Sequence, residues 1–272
     1  RQQSDIIGIA PLQVKGEKAF FIGSGDVCDY MDFVVAPGRE RDFFNVLLGD
    51  LRQRGIRYLE LKPLRPESMV VINLVGVAEN SGYEVSCHSC GVSLELNLPP
   101  TWDEYLGMLT GKQRHEVRRK LRRLEETGNI EYRVIEEKAA VHEVMDTFLK
   151  LFSQNQQDKA AFMTDQMDFF FRAMAETMAE AKLLRFGILE LAALPVATVM
   201  CFDYNESVYL YNSGYDSQYH SLSVGLLSKV LCIKDSIQRG RKRFDFLKGT
   251  EAYKYHLGGK EIPLYNYQIT IK

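Results

Sequence analysis

Residues 209–259, YLYNSGYDSQYHSLSVGLLSKVLCIKDSIQRGRKRFDFLKGTEAYKYHLGG, constrain what this chain can fold into more than any other stretch. Residues 208–211 alternate apolar and aromatic side chains as a strand does, and Asn212, Gly214 and Asp216 then interrupt them. A polar loop runs to Gly225. From Leu226 the apolar positions Leu227, Val230, Leu231, Ile233 and Ile237 recur at helical spacing, and Gly240 stops the helix. Residues 243–247 return as a short strand. Strand, loop, helix and strand in so few residues make a βαβ crossover, which sets its two strands parallel.

The loop that holds Ser221, Ser223, Val224, Gly225 and Leu226 leads into the first turn of that helix. Such a turn offers unpaired amides and the positive end of the helix dipole to an anion. Ser221 or Ser223 would equally serve as a plain helix cap. Asp245 lies in the second strand, and Lys248, Tyr253 and Lys254 follow it closely. Groups of these kinds serve general acid–base chemistry and the binding of a phosphate or an oxyanion. Asp245 suits the orientation or deprotonation of an amine, or a capping or ion-paired role. Lys248 and Lys254 suit a phosphate or an oxyanion, or an ordinary surface.

The run YLYNSGYD…LSVGLL…GRKRFDFLKGTEAYKYHLGG, with LTGKQRHEVRRKLRRLEETG upstream, resembles the CelD-type (cellulose biosynthesis) acetyltransferases of the GNAT superfamily, which are related to the Fem-type aminoacyltransferases of peptidoglycan synthesis. GIAPL, DYMDFVVAPG and ELKPLRPES are similar to the N-terminal half of that family. The resemblance implies an α/β fold of tandem GNAT-like domains with mixed sheets, the N-terminal one lacking its first strands and helix. It implies acetyl-CoA or another acyl-CoA as co-substrate and no metal. Tyr211, Ser221, Ser223, Val224, Gly225, Leu226 and Lys248 would hold the cofactor, with the thioester between the two parallel strands. Asp245, Tyr253 and Lys248 would be catalytic, Tyr253 as the phenolic acid on the next helix. The acceptor, a small molecule or a cell-envelope or polysaccharide precursor, would lie in the inter-domain cleft.

The remaining sequence supplies the other candidates. Residues 6–14 and 20–23 read as a hairpin about Lys15-Gly16, residues 31–35 as a strand, and residues 40–54 as a helix with Phe43, Phe44, Leu47, Leu48 and Leu51 inward. Residues 58–61 and 92–98 are further strands, and Pro99-Pro100 divides a half at 1–99, without a convincing anion loop, from one at 100–272. Asp29, Tyr30 and Asp32 suit the recognition of an acceptor, or turn chemistry. Cys87-His-Ser-Cys90 lacks the second pair that a structural zinc needs. Residues 112–126 form a basic helix packed through Val117, Leu121 and Leu124. On it Arg118, Arg119 and Arg122 either meet an anionic acceptor, CoA phosphate or nucleotide, or form a solvated face. Residues 139–156 and 162–180 are helices, the second a Phe/Met stripe read as core, and residues 183–191, 197–204 and 207–213 make a meander turning at 193–195.

The 272 residues suffice for two domains, and a net charge of −2 gives no global pull toward nucleic acid or anionic lipid. Five cysteines without disulfide spacing suit a reducing cytoplasm, and no apolar run approaches the roughly 20 residues of a membrane span. Two other classes stay open: a Fem-like transferase using aminoacyl-tRNA, and a non-catalytic binding module on a decayed transferase fold.

Overall fold

The computed structural model describes residues 6–154 and 161–272. The chain forms two compact units, Arg1–Ser93 with Glu261–Lys272, and Leu94–Lys260.

The first unit holds β1 (Gly8–Ile9), β2 (Leu12–Lys15), β3 (Lys18–Phe21), β4 (Val34–Val35), α1 (Glu40–Gln53), β5 (Tyr58–Leu64), a π-helical turn (Val70–Leu74) running into α2 (Val75–Asn80), and β6 (Glu84–Asn97), whose last residues belong to the second unit. The hairpin of β2 and β3 turns at Gly16, whose φ of 60° suits glycine. β3 runs parallel to β5, and β1 pairs with β4. α1 buries the expected Phe43, Phe44, Leu47, Leu48 and Leu51, and Phe33 sets its ring 5.5 Å from that of Phe44. The helical segment over residues 70–80 has no counterpart in the sequence reading, because Val70-Val71-Ile72 is a β-branched run.

The second unit holds α3 (Trp102–Met108), α4 (Gly111–Glu125), β7 (Ile130–Ile135), α5 (Lys138–Gln154), α6 (Asp165–Glu180), β8 (Leu184–Leu191), β9 (Leu194–Tyr204), β10 (Ser207–Tyr215), a 3₁₀ turn (Ser217–Leu222), α7 (Val224–Gln238), β11 (Arg243–Lys248) and α8 (Ala252–His256). Thr101 caps α3 by accepting from the Glu104 amide, and Thr110 with Gln113 closes a capping box on α4. Strands β7 to β10 run antiparallel to their neighbours in chain order, and β11 joins parallel to β10, which makes the sheet mixed as expected. The β8–β9 turn uses Ala192 and Ala193 at φ 47° and 63°, so Pro195 falls inside β9 rather than in the turn. The last strand, β12 (Lys260–Thr270), also absent from the sequence reading, pairs antiparallel with β5 (Tyr267↔Leu61, Ile269↔Leu59). The sequence division after residue 99 put this strand in the second half. Here Ile269 and Ile271 join the core of the first unit.

The core against β8 and β9 is aromatic: Phe148, Phe152, Phe171 and Phe186 pack on one another, with Met163, Met167 and Met174 against them. The Phe/Met stripe is therefore core for Phe171, whereas Phe169 stands 75% exposed. No helix among the described residues is long and apolar enough to cross a membrane.

β10 lies so close to α5 that a Cβ on Gly214 would run into the backbone of Leu151 and Phe152. Backbone cannot swing aside as a side chain can. We expect Gly214→Ala to cost about 2–3 kcal/mol, the scale of an overpacked core. The check is the urea midpoint, and an unchanged midpoint would contradict the close approach.

Candidate active site

β10 and β11 are paired over three positions, Ser207↔Arg243, Val208↔Phe244 and Tyr209↔Asp245. Beyond them no residues of the two strands face each other among the described residues, while β10 stays paired to β9 as far as Tyr215↔Ala197, with a bulge at Tyr211. The strands thus part on one side only.

The first turn of α7 follows the open end of β10. The Asp216 side chain accepts from the Gln218 amide at 2.9 Å and starts the 3₁₀ turn. Ser223 then takes the left-handed conformation, φ 57°, and its carbonyl accepts from both Leu226 and Leu227 at 3.0 and 2.9 Å. The amides of Val224 and Gly225 fall in the first turn, outside the helix's own ladder. The Ser223 hydroxyl makes no capping bond. Gly225 is buried, and a Cβ there would lie 2.5 Å from the Tyr215 ring. Its bare Cα seats an aromatic ring, so the residue is required by packing whatever the loop binds.

β11 ends in a turn built by two buried charges. Asp245, 1% exposed, accepts from the Leu247 amide at 2.7 Å, and Leu247 takes φ 62°. Lys254, expected to bind substrate through a phosphate or an oxyanion, or to lie on the surface, is instead 2% exposed. Its ammonium donates to the carbonyls of Lys248 (2.6 Å), Leu247 (3.2 Å) and Gly249 (3.4 Å) and pairs with Glu251 at 3.0 Å. It braces the turn from inside. Lys248 itself is exposed at the end of β11.

The Tyr253 and Phe246 rings meet edge to face, with centroids 6.4 Å apart. Burial pushes the Tyr253 phenol well above the usual tyrosine range, and Glu251 and Cys201 push it further. Lys229, a residue the sequence reading passed over, places its ammonium 5.0 Å from the centre of the same ring and donates to the Gly225 carbonyl at 2.8 Å. The available signal was a charge inside a helix whose neighbours Leu226, Leu227, Val230 and Leu231 leave little polar face. α8 is held by two further bonds, from Tyr105 Oη to the Leu257 carbonyl (3.1 Å) and from Gln113 Nε2 to the Tyr255 carbonyl (3.0 Å).

The other expected residues divide. Tyr211 turns its ring toward Phe171 and Phe202, at 5.8 and 5.1 Å, in the aromatic core, rather than toward the parted strands. α4 lies against α7 and the 3₁₀ turn, with Val117 and Leu124 buried. Arg119 is engaged by Glu116 through two bonds of 2.9 Å, and that guanidinium lowers the Glu116 carboxyl to about 2. Arg122 faces Glu126 at 3.7 Å, and Arg118 is exposed with no partner among the described residues. Asp29, Tyr30 and Asp32 belong to the first unit. There Arg65 stacks 5.0 Å over Tyr30, and Asp32 accepts from the Phe33 and Met69 amides at 2.9 and 2.7 Å. Asp32 thus ties down the start of the π turn, and burial pushes its carboxyl up. Cys87 and Cys90 are exposed, and no three His, Cys, Asp or Glu groups gather as a metal site among the described residues.

Residues 111–255, more than half of the chain and reaching from the start of α4 into α8, match the family described as acetyltransferase (GNAT) domain. Three solved structures share the fold. FemX superposes with a TM-score of 0.66 at 9% identity, covering 98% of this chain and 86% of that one. L-PGS from Bacillus licheniformis gives 0.61 at 11%, covering 96% and 80%. A conserved protein of unknown function from Bacteroides thetaiotaomicron gives 0.63 at 15%, covering 96% and 82%. No curated protein matches the sequence.

If Lys254 is the brace of the β11 turn, Lys254→Met leaves three carbonyls and a carboxylate without their donor. The expected cost is about 2–4 kcal/mol, with faster hydrogen exchange between Lys248 and Glu251. Slow exchange there in a stable variant would return Lys254 to the list of substrate groups.

Proposed function

The chain belongs to the acetyltransferase (GNAT) domain family, and on that premise we propose that it transfers an acyl group from an acyl-CoA to an amine, or less readily a hydroxyl, of a polar acceptor. The observation that carries this reading is the one-sided parting of β10 from β11 beside the first turn of α7. Beyond Tyr209 the β11-facing edge of β10 is released from the sheet, and an extended ligand rich in amides can add to such an edge. The amides of Val224 and Gly225 then receive the pyrophosphate, helped by the helix dipole. Ser221, Ser223 and Leu226 shape that turn, and Arg118 on the adjoining α4 extends the positive surface for a further phosphate.

In the transfer the acceptor nitrogen attacks the thioester carbonyl, the C–S bond breaks, and its electron pair leaves on sulfur. Tyr253 supplies the proton to that sulfur. Asp245 sets the end of β11 through the Leu247 amide and orients the amine, and the exposed Lys248 favours the phosphate or the oxyanion. The CelD type is the subfamily we favour, on the strength of residues 109–128 and 209–259. Cell-envelope or polysaccharide precursors are then the acceptor class. A second reading, aminoacyl transfer from tRNA, draws on the exposed Arg118 of α4, which has no partner among the described residues.

Calorimetric titration of acetyl-CoA and of CoA tests the assignment. Binding in the micromolar range is expected. Ser221→Glu, which adds a carboxylate to an exposed position of the loop, should weaken it about tenfold, the worth of one charge at short range near a surface. A folded chain that ignores both ligands and instead binds tRNA with steep salt dependence would transfer the assignment to the second reading.

A further inference from the structure

Lys229 carries a charge where the fold is closed to water: it is 6% exposed, on a helix that buries Val224, Leu227, Val230 and Ile233 as well as Ser228 and Ser236. A buried ammonium is retained where partners meet it. The side chain runs back toward the start of α7, as long helical side chains do, and reaches the Gly225 carbonyl at 2.8 Å, which also accepts the Ser228 hydroxyl at 3.1 Å. Its charge therefore lies level with the first turn, over the face of the Tyr253 ring at 5.0 Å.

We propose that Lys229 is a positioning residue of the acyl-transfer site: its buried ammonium holds the Tyr253 ring against the first turn of α7, so that the phenol donates to the sulfur leaving the thioester. The inference rests on the acyl-CoA reading above and adds to it the group that makes the phenol an effective acid. A cation on the ring face attracts the ring and favours loss of the phenolic proton. In the step itself the C–N bond forms as the C–S bond breaks. The electron pair goes to sulfur and the phenolic proton follows it. The phenolate regains a proton from the attacking nitrogen through water. Among the described residues, Glu251 at the start of α8 and Cys201 on β9 push the phenol up, and the Lys229 ammonium on α7 stands over its ring.

The test needs no acceptor. The thiol of CoA, bound at saturation, is titrated by the ultraviolet absorbance of its thiolate in the wild type, Lys229→Met, Tyr253→Phe and the double variant, with thermal midpoints as the control for folding. The wild-type complex should form thiolate below the pH at which free CoA does, because the phenol donates to it. Lys229→Met should raise that midpoint by about one pH unit. Tyr253→Phe should raise it as much or more, and the double variant no further than Tyr253→Phe, since Lys229 acts through the ring. A Lys229→Met midpoint equal to the wild type overturns the inference while leaving the acyl-CoA reading intact. So does a double variant in which the two shifts add. Should Lys229→Met not fold, an unshifted Tyr253→Phe complex overturns it alone. A wild type that binds no CoA overturns the acyl-CoA reading, and this inference with it.

Discussion

The Tyr215 ring laid on the bare Cα of Gly225 is the contact on which the geometry of the site depends. It fastens the far end of β10 to the first turn of α7. β10 is meanwhile held to β9 along its length, so it cannot also follow β11. A parallel pair that starts in register at Ser207↔Arg243 is therefore obliged to open after Tyr209. Any side chain at 225 would move the ring or the helix, and interiors packed at crystal density yield to neither cheaply. The opening is thus a consequence of packing on one edge of one strand.

β11 needs its own support once it has left β10. Its end turns through Leu247 at positive φ, which costs roughly 1 kcal/mol or more for a residue with a side chain. Asp245 offsets this from one side by accepting the Leu247 amide. Lys254 offsets it from the other by collecting the carbonyls of Leu247, Lys248 and Gly249. The ammonium reaches them only because α8 follows within a few residues, and α8 is in turn held by Tyr105 and Gln113. Asp245, expected to be catalytic, and Lys254, expected to meet a phosphate or an oxyanion, thus also form the frame of the β11 turn.

That distinction marks where the sequence was legible. The crossover from β10 to β11 could be read because strand alternation, helical spacing and Gly240 are local signals, and the same holds for α1 and its five inward apolar residues. The π turn and α2 were not legible, because a β-branched run is held helical by Asp32, 37 residues upstream. β12 was missed since its partner β5 lies some two hundred residues earlier in the chain. The side-chain directions of Tyr211 and Lys254, and Lys229 altogether, escaped the sequence for one reason. Side-chain direction at a bulge and burial of an ammonium are settled by tertiary packing, and lysine is by default exposed.

The buried charges of the second unit show how differently such groups can be accommodated. Arg185, 4% exposed on β8, is met by the carboxylates of Glu136, Asp203 and Asp235, and Arg239 and Arg241 complete an alternating network near the C-terminal end of α7. Cations there are also favoured by the dipole of α7. Lys229 is at the other end. Its ammonium sits level with the first turn, where the dipole is positive and repels it, and it is buried besides. A reaction that develops negative charge on sulfur beside the first turn would use this arrangement, because the helix dipole, the first-turn amides and the ammonium then all face the same transient charge.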